Sequence, residues 1–170
     1  VSAVSVSNNH ACVLHVTGNV TCWGEGALGL DFDSTGAGKL GYGSIDDVLD
    51  ASLAGYVPVG RAAVHLATGF RHTCVVLASG ELQCWGPGSL SSRGYETADN
   101  VGDSIGRLPI DVGPVKLPAA ISRVAVGLVQ TCVIFTTGVQ HCFGQDTAGT
   151  LGAGRRDTVV GRAGVFPRYF

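Results

Sequence analysis

The sequence has no methionine, only six prolines in 170 residues, and only 24 charged side chains, of which 11 are basic and 13 acidic. The formal net charge of −2 and the lack of any basic run leave no electrostatic footprint for a nucleic-acid backbone. No stretch reaches the roughly 18 to 20 uninterrupted apolar residues that a membrane helix needs. We therefore expect neither a nucleic-acid partner nor insertion into a membrane.

The chain also begins without an initiator methionine, a basic leader or a signal-peptide pattern, which predicts a processed product or a piece of something longer. Glycine, in contrast, is abundant, with 26 residues, and 45% of the residues are hydrophobic. So large a hydrophobic share with so little proline excludes both collagen and a disordered linker. The glycines instead predict many tight turns between short apolar segments.

The six cysteines recur as three pairs, each ten positions apart: Cys12 and Cys22, Cys74 and Cys84, Cys132 and Cys142. Each first cysteine is followed by Gly at +6, Cys at +10, an aromatic residue at +11 and Gly at +12. The aromatic residues are Trp23, Trp85 and Phe143, and their repetition assigns them to a core between units. Five matched positions in three copies establish an internal repeat. We predict one repeat array with blade units 1–61, 62–119 and 120–170.

The spacing inside each copy predicts a β-hairpin. The apolar runs after each first cysteine are short and rich in β-branched and aromatic residues, which is typical of strands. Three-residue loops with Gly in third place follow them, at 16–18, 78–80 and 136–138. Counting outward from the first loop places Cys12 opposite Cys22. Another apolar segment precedes each hairpin and supplies a further antiparallel strand, at 1–6, 62–67 and 121–126.

The predicted strands are apolar on both faces, so both faces of each sheet should be covered. Radial stacking of small sheets in a propeller is the common solution. We therefore predict an all-β fold of three β-propeller blades. Three blades alone form a partial, open propeller. Each end would then expose an apolar blade face to water, so we expect other copies or more chain to complete it.

The paired cysteines admit three interpretations: hairpin disulfides, buried free thiols or metal ligands. Opposed residues in an antiparallel pair have Cβ atoms about 4.5 to 5.5 Å apart, close to the disulfide requirement, which favours disulfides. Zinc sites usually have cysteines two to four residues apart, which these are not. Disulfides in turn indicate an oxidising compartment. We expect no cofactor, and the sequence does not indicate a small-molecule ligand.

Other candidate sites are weaker. Asn19 begins an Asn-x-Thr glycosylation sequon just after the first turn, where the chain should be exposed. His10 and His72 occupy one repeat position, which predicts a structural hydrogen bond to a neighbouring loop rather than catalysis. Asp31, Asp33 and Thr35 have the spacing at which a calcium loop begins, although a turn explains them more simply.

The repeated string of His-x-Cys, a short strand, Gly, a short strand, Cys-Trp-Gly and then Gly-x-Leu-Gly-Tyr-Gly closely resembles the regulator of chromosome condensation repeat. Members of that family form seven-bladed β-propellers, and the cysteine-paired version occurs in large secreted or surface proteins of bacteria and protists. The resemblance implies binding through the propeller faces rather than side-chain catalysis. Known members include a nuclear exchange factor for a small GTPase, an inhibitor that caps β-lactamases, and adhesion or scaffold modules.

We consequently expect a non-catalytic protein-binding or structural module, extracellular or at the cell surface, that associates with copies of itself or forms part of a larger assembly. An intracellular regulatory propeller of the guanine-nucleotide exchange type, with reduced cysteines, is the alternative. A carbohydrate-active enzyme is a further alternative, and it would need a positioned pair of carboxylates.

Overall fold

The computed structural model describes residues 1–26, 38–88, 92–146 and 148–152. Nine strands and one short helix follow one another along these ranges. They are β1 (Ala3–Val6), β2 (His10–Leu14), β3 (Val20–Gly24), β4 (Ala63–Thr68), β5 (Thr73–Leu77), β6 (Leu82–Trp85), α1 (Pro109–Val112), β7 (Ile121–Val126), β8 (Gln130–Phe135) and β9 (Gln140–Gly144).

The strands form three separate antiparallel sheets with the orders β1-β2-β3, β4-β5-β6 and β7-β8-β9. We call these sheets blades 1, 2 and 3. The all-β prediction and the prediction of three propeller blades in an open arc are confirmed. Short isolated bridges extend the inner sheets, for example Leu82 with Val115 and Gly86 with Val101.

The hairpin register is the one that the turn glycines predict. Cys12 lies opposite Cys22, and His15 donates its backbone N–H to Asn19 across the loop at 2.9 Å. Gly18, the third loop residue, has a φ of 85°, which is the left-handed region that glycine occupies readily. The other two hairpins share this register at Cys74 with Cys84 and at Cys132 with Cys142.

Two hydrophobic cores fill the spaces between blades. The first lies between blades 1 and 2 and joins Cys12, Leu14, Val20 and Cys22 to Val75, Leu77 and Trp85. The second lies between blades 2 and 3 and joins Cys74, Val76, Leu82 and Cys84 to Val133, Phe135 and Phe143. Every residue of β5 is buried, because blade 2 is covered on both faces. The outer strand β1 is mostly exposed.

The turn of one blade also holds the first strand of the next. The Gly18 carbonyl accepts from the Ala63 N–H at 2.8 Å, and the Gly80 carbonyl accepts from the Ile121 N–H at 2.7 Å. A Cβ added at Gly80 would lie 2.8 Å from the Ala120 Cβ, so only glycine allows this close approach.

Candidate functional site

A buried histidine of blade 1 is hydrogen-bonded to blade 2. His10 Nε2 lies 2.8 Å from Thr73 Oγ1. The Thr73 hydroxyl lies 3.4 Å from the backbone carbonyl of Lys39, to which it donates. The Thr73 hydroxyl can accept from a protonated Nε2 while it donates to that carbonyl, and His10 Nδ1 lies 2.9 Å from the Ser7 hydroxyl. We call this chain of histidine, threonine and carbonyl a relay.

The same relay recurs between blades 2 and 3. His72 Nε2 lies 2.7 Å from Thr131 Oγ1, and the Thr131 hydroxyl donates to the Ser92 carbonyl at 2.7 Å. The sequence predicted a structural hydrogen bond from the histidine to a neighbouring loop. Its partner is instead a strand threonine of the next blade, since the stacked sheets bring β2 beside β5 and β5 beside β8.

Both relay histidines are neutral at physiological pH. Burial, together with the positive charge of Lys39, lowers the pKa of His10 to about 4. Burial lowers the pKa of His72 to about 3, with a contribution from the nearby Arg93 guanidinium. A ring that cannot readily take up a proton is suited to holding blades together rather than to acid–base catalysis.

A buried ion pair lies next to the first relay. Lys39, whose side chain is fully buried, donates to Glu25 Oε2 at 3.0 Å, and Asn9 also donates to that oxygen. The ion pair joins two parts of the segment after β3, and the Asn9 contact joins that segment to the loop before β2. Sequence reasoning missed the ion pair, because the two residues lie 14 positions apart in a segment without hydrophobic periodicity.

The three cysteine pairs are disulfide-bonded, and no cysteine is free. Their surroundings differ. The pairs Cys12–Cys22 and Cys74–Cys84 are fully buried at the two blade interfaces. The pair Cys132–Cys142 is half-buried on the outer side of blade 3.

Asn19 lies half-buried directly after the first hairpin turn, and its side-chain amide donates to Thr17 Oγ1 at 3.2 Å. Val16 and Thr17 of the turn are exposed. Glycosylation of Asn19 stays a prediction. The calcium candidates Asp31, Asp33 and Thr35 lie outside the described residues. Among the described residues, no group of three or more His, Cys, Asp or Glu side chains could hold a metal ion.

Two of the three repeat aromatics are fully buried between blades. Trp85 lies under Gly41, where an added Cβ would be 2.9 Å from the indole ring, and Phe143 lies under Gly94, where it would be 2.8 Å away. Each glycine belongs to the blade before the ring that it covers. The equivalent Trp23 is only half-buried, because blade 1 has no earlier blade in the arc.

The outer side of blade 1 is therefore only partly covered. Alternation along β2 and β3 places Val13, His15, Thr21 and Trp23 on it, and we call these four residues the head face. A cavity of about 480 Å³ lies there, and Tyr56 packs edge-on against His15 with 5.3 Å between ring centroids.

The outer side of blade 3 carries the complementary surface. Cys132, Ile134, Gln140 and Cys142 lie on it by the same alternation, and we call them the tail face. Ile134 is 43% exposed, whereas its equivalents Leu14 and Val76 are 3% and 1% exposed at the inner interfaces. Each end of the described arc thus presents one half of a blade interface.

A separate groove of about 530 Å³ lies on the loop between blades 1 and 2. Asp46, Asp47 and Asp50 line it together with the exposed Leu49 and Leu53. Asp46 and Asp50 are bonded to nearby serine hydroxyls, and Asp47 accepts from the Gly26 N–H at 2.9 Å. These acids therefore act largely as turn residues.

Tyr42 and Tyr95 are loop residues whose hydroxyl groups are hydrogen-bonded to the backbone. The Tyr42 hydroxyl accepts from the Cys22 N–H at 2.9 Å, and the Tyr95 hydroxyl donates to the Gly113 carbonyl at 2.7 Å. Burial raises the pKa of Tyr95 to about 12. Both side chains fasten a connecting loop to the edge of a blade.

No helix in the described part of the chain is long and apolar enough to cross a membrane.

Comparison with known proteins agrees with this architecture. Residues 1–29 and 63–91 match the regulator of chromosome condensation (RCC1) repeat. The E3 ubiquitin-protein ligase HERC2 of Homo sapiens, like that of Mus musculus, is 30% identical over 159 residues, which are 91% of this chain and 3% of HERC2. The chain thus spans a very small part of these relatives.

Solved structures share the fold at low sequence identity. Yeast RCC1 (Prp20), bound to Kap60, superposes with a TM-score of 0.71 at 15% identity, over 98% of this chain and 36% of that one. Human WBSCR16 superposes with a TM-score of 0.70 at 18% identity, over 98% of this chain and 37% of that one. The chain therefore contains regulator of chromosome condensation repeats at residues 1–29 and 63–91, and its fold is that of three blades of such a propeller.

Proposed function

We propose that this chain is a non-catalytic protein-binding module of an extracellular or cell-surface assembly. The observation that carries the proposal is one disulfide in every blade. Disulfides persist in oxidising compartments and are rare in the cytosol and nucleus. A protein with the same disulfide in every repeat is adapted to such a compartment.

The glycosylation sequon at Asn19 supports the same location, since this modification occurs in secreted proteins. The structural role of the repeated residues supports binding rather than catalysis. Both relay histidines, the aromatic residues of blades 2 and 3 and the cysteines of blades 1 and 2 are used at blade interfaces. The open head and tail faces then need a cover, supplied by copies of the chain or by further blades of a larger assembly.

A thiol count on the natively isolated protein, with its mass measured before and after reduction, tests the proposal. We expect no free thiols, a gain of six hydrogens on reduction, and additional glycan mass on Asn19. Six free thiols in the native protein would overturn the extracellular assignment. That result would favour an intracellular regulator of the exchange-factor type, a role suggested by the fold shared with yeast RCC1.

A further inference from the structure

The two interfaces inside the chain follow one rule. The cysteine-bearing face of each blade packs on the face of the next blade that carries the repeat aromatic. In the described arc, this rule leaves the tail face of blade 3 without an aromatic face and the head face of blade 1 without a cysteine face. The two open surfaces are therefore opposite halves of one repeated interface.

The glycine that covers each aromatic ring is also present at the end of the arc. Gly152 follows Cys142 by ten positions, as Gly94 follows Cys84. It has a φ of 69°, close to the 79° of Gly94, and no described atom lies within 4 Å of the position of its Cβ. Among the described residues nothing covers Gly152, and no described glycine covers the half-buried ring of Trp23.

The relay is absent from both ends of the described arc: the head lacks the threonine and the tail lacks the histidine. Ala11 stands at the head where blades 2 and 3 have Thr73 and Thr131, and Gln130 stands at the tail where the earlier blades have histidine. A neighbouring blade with a relay histidine would bury its Nε2–H against Ala11 without an acceptor, which is costly. Gln130 is already bonded within blade 3, where one N–H of its amide donates to the Gln145 carbonyl at 3.0 Å and its Oε1 accepts from the Val129 N–H at 3.3 Å.

We propose that the head face binds the tail face of a second copy of this chain, with Gly152 of one copy over Trp23 of the other and Gln130 opposite Ala11. This inference rests on the proposed function as a protein-binding module. The contact joins different surfaces of the two copies, so it continues into a closed ring or a filament. It is more polar than the inner interfaces, since His15 and Gln140 replace apolar residues, and it is correspondingly more reversible.

Sedimentation velocity of the 170-residue chain over a range of concentrations tests the contact. We expect the mass of the wild-type chain to rise with concentration. Trp23→Asp blocks the head and Ile134→Asp blocks the tail, so each variant alone should be monomeric. A mixture of the two has one intact head and one intact tail, and it should form a dimer that grows no further. Ile105→Asp, at an exposed apolar residue between β6 and α1 that belongs to neither face, is the control and should associate as the wild type does.

Circular dichroism and a thiol count verify that each variant is folded, and Val13→Asp replaces Trp23→Asp if the latter unfolds. A wild-type chain that stays monomeric would overturn the proposal and leave further blades or another protein as the cover. The same would follow if either single variant still associated. A monomer with no free thiols would leave the proposed function standing.

Restoring the relay between copies gives a second, independent readout. The copy with the blocked tail receives Ala11→Thr, and the copy with the blocked head receives Gln130→His. We expect the doubly restored pair to bind about threefold to tenfold more tightly than the two single changes predict together, as one buried hydrogen bond allows. Purely additive effects would show that these residues do not meet and would overturn the proposed register.

Discussion

At the scale of single residues, the relay threonine matters through its hydroxyl alone. Replacing Thr131 by Val keeps the shape but removes the acceptor of the buried His72 Nε2–H. We expect Thr131→Val to lower the free energy of unfolding by about 1 to 3 kcal/mol. Thr131→Ser keeps the hydroxyl and should cost less. Urea denaturation of the two variants makes the comparison, and equal losses would show that the hydrogen bond contributes nothing.

The relay histidines also make stability depend on pH. Their folded pKa values, about 4 for His10 and about 3 for His72, lie below the ordinary value of 6.5. Between the folded and the ordinary pKa values, the unfolded chain binds more protons than the folded chain. The histidines therefore do not lower the free energy of unfolding above pH 6.5, and they lower it increasingly as the pH drops toward 4. The expected slope is about 1.4 kcal/mol per pH unit for each histidine in that window.

Gln130 of blade 3 stands at the repeat position of the relay histidines, and it suggests the variant that tests this slope. His72→Gln keeps a hydrogen-bond donor but does not titrate in this range. Urea denaturation at several pH values should give a shallower slope for His72→Gln than for the wild type. His15→Gln, on the head face, leaves both relays in place and should retain the steep slope. A wild-type stability that is flat from pH 7 to pH 4.5 would contradict the buried, neutral state of these rings.

At the scale of the blade, the close approach of glycine to the aromatic ring fixes how neighbouring sheets pack. Gly94 and Gly106 have similar φ angles, 79° and 88°, so an alanine at either position suffers similar backbone strain. Only Gly94 faces a ring, with 2.8 Å between its added Cβ and Phe143, while nothing lies within 4 Å at Gly106. We expect Gly94→Ala to destabilise the protein by about 1 to 3 kcal/mol more than Gly106→Ala, as overpacking does.

Thermal unfolding of these two variants measures that difference. If both glycine variants lose the same stability, backbone conformation alone explains the repeat glycine. The space between blades would then be able to relax by the width of a methyl group.

The disulfides differ at the same scale, because burial controls access of a reducing thiol. Cys12–Cys22 and Cys74–Cys84 are 0% exposed, whereas Cys132–Cys142 is half-buried on the tail face. We expect limited reduction of the native protein to open Cys132–Cys142 first. Alkylation of the new thiols followed by peptide mass mapping identifies the order. Early reduction of the Cys74–Cys84 pair would contradict the central position of blade 2.

The hairpins could be predicted from the sequence because all their determinants are local. A three-residue loop that ends in Gly18 fixes the register, and the register places Cys12 opposite Cys22. The relay could not be predicted in this way. His10 and Thr73 lie 63 positions apart, and only the stacking of blades brings them together. The role of Tyr42 could not be predicted for the same reason, because it bonds to Cys22 from 20 positions away.

At the scale of the whole molecule, the arc is a one-dimensional array in which each blade contacts only its neighbours. Stability in such arrays is approximately a sum of the intrinsic stability of each repeat and of the interfaces between repeats. Blade 2 has two interfaces, while blades 1 and 3 have one each within the described arc. The difference is visible in burial, since β5 is buried throughout, whereas the equivalent strands β2 and β8 each keep at least one partly exposed residue.

Hydrogen exchange should therefore divide the chain by blade rather than by strand type. We expect the slowest amides in β5 and β6 and faster exchange in β2 and β8, because opening blade 2 disrupts both cores while opening an end blade disrupts one. Binding of a second copy would bury the head and tail faces and slow exchange in blades 1 and 3 as concentration rises. The Ile134→Asp variant cannot form that contact, so its exchange in blade 1 should not change with concentration. Uniform exchange across the three blades would instead show that the arc opens as one cooperative unit.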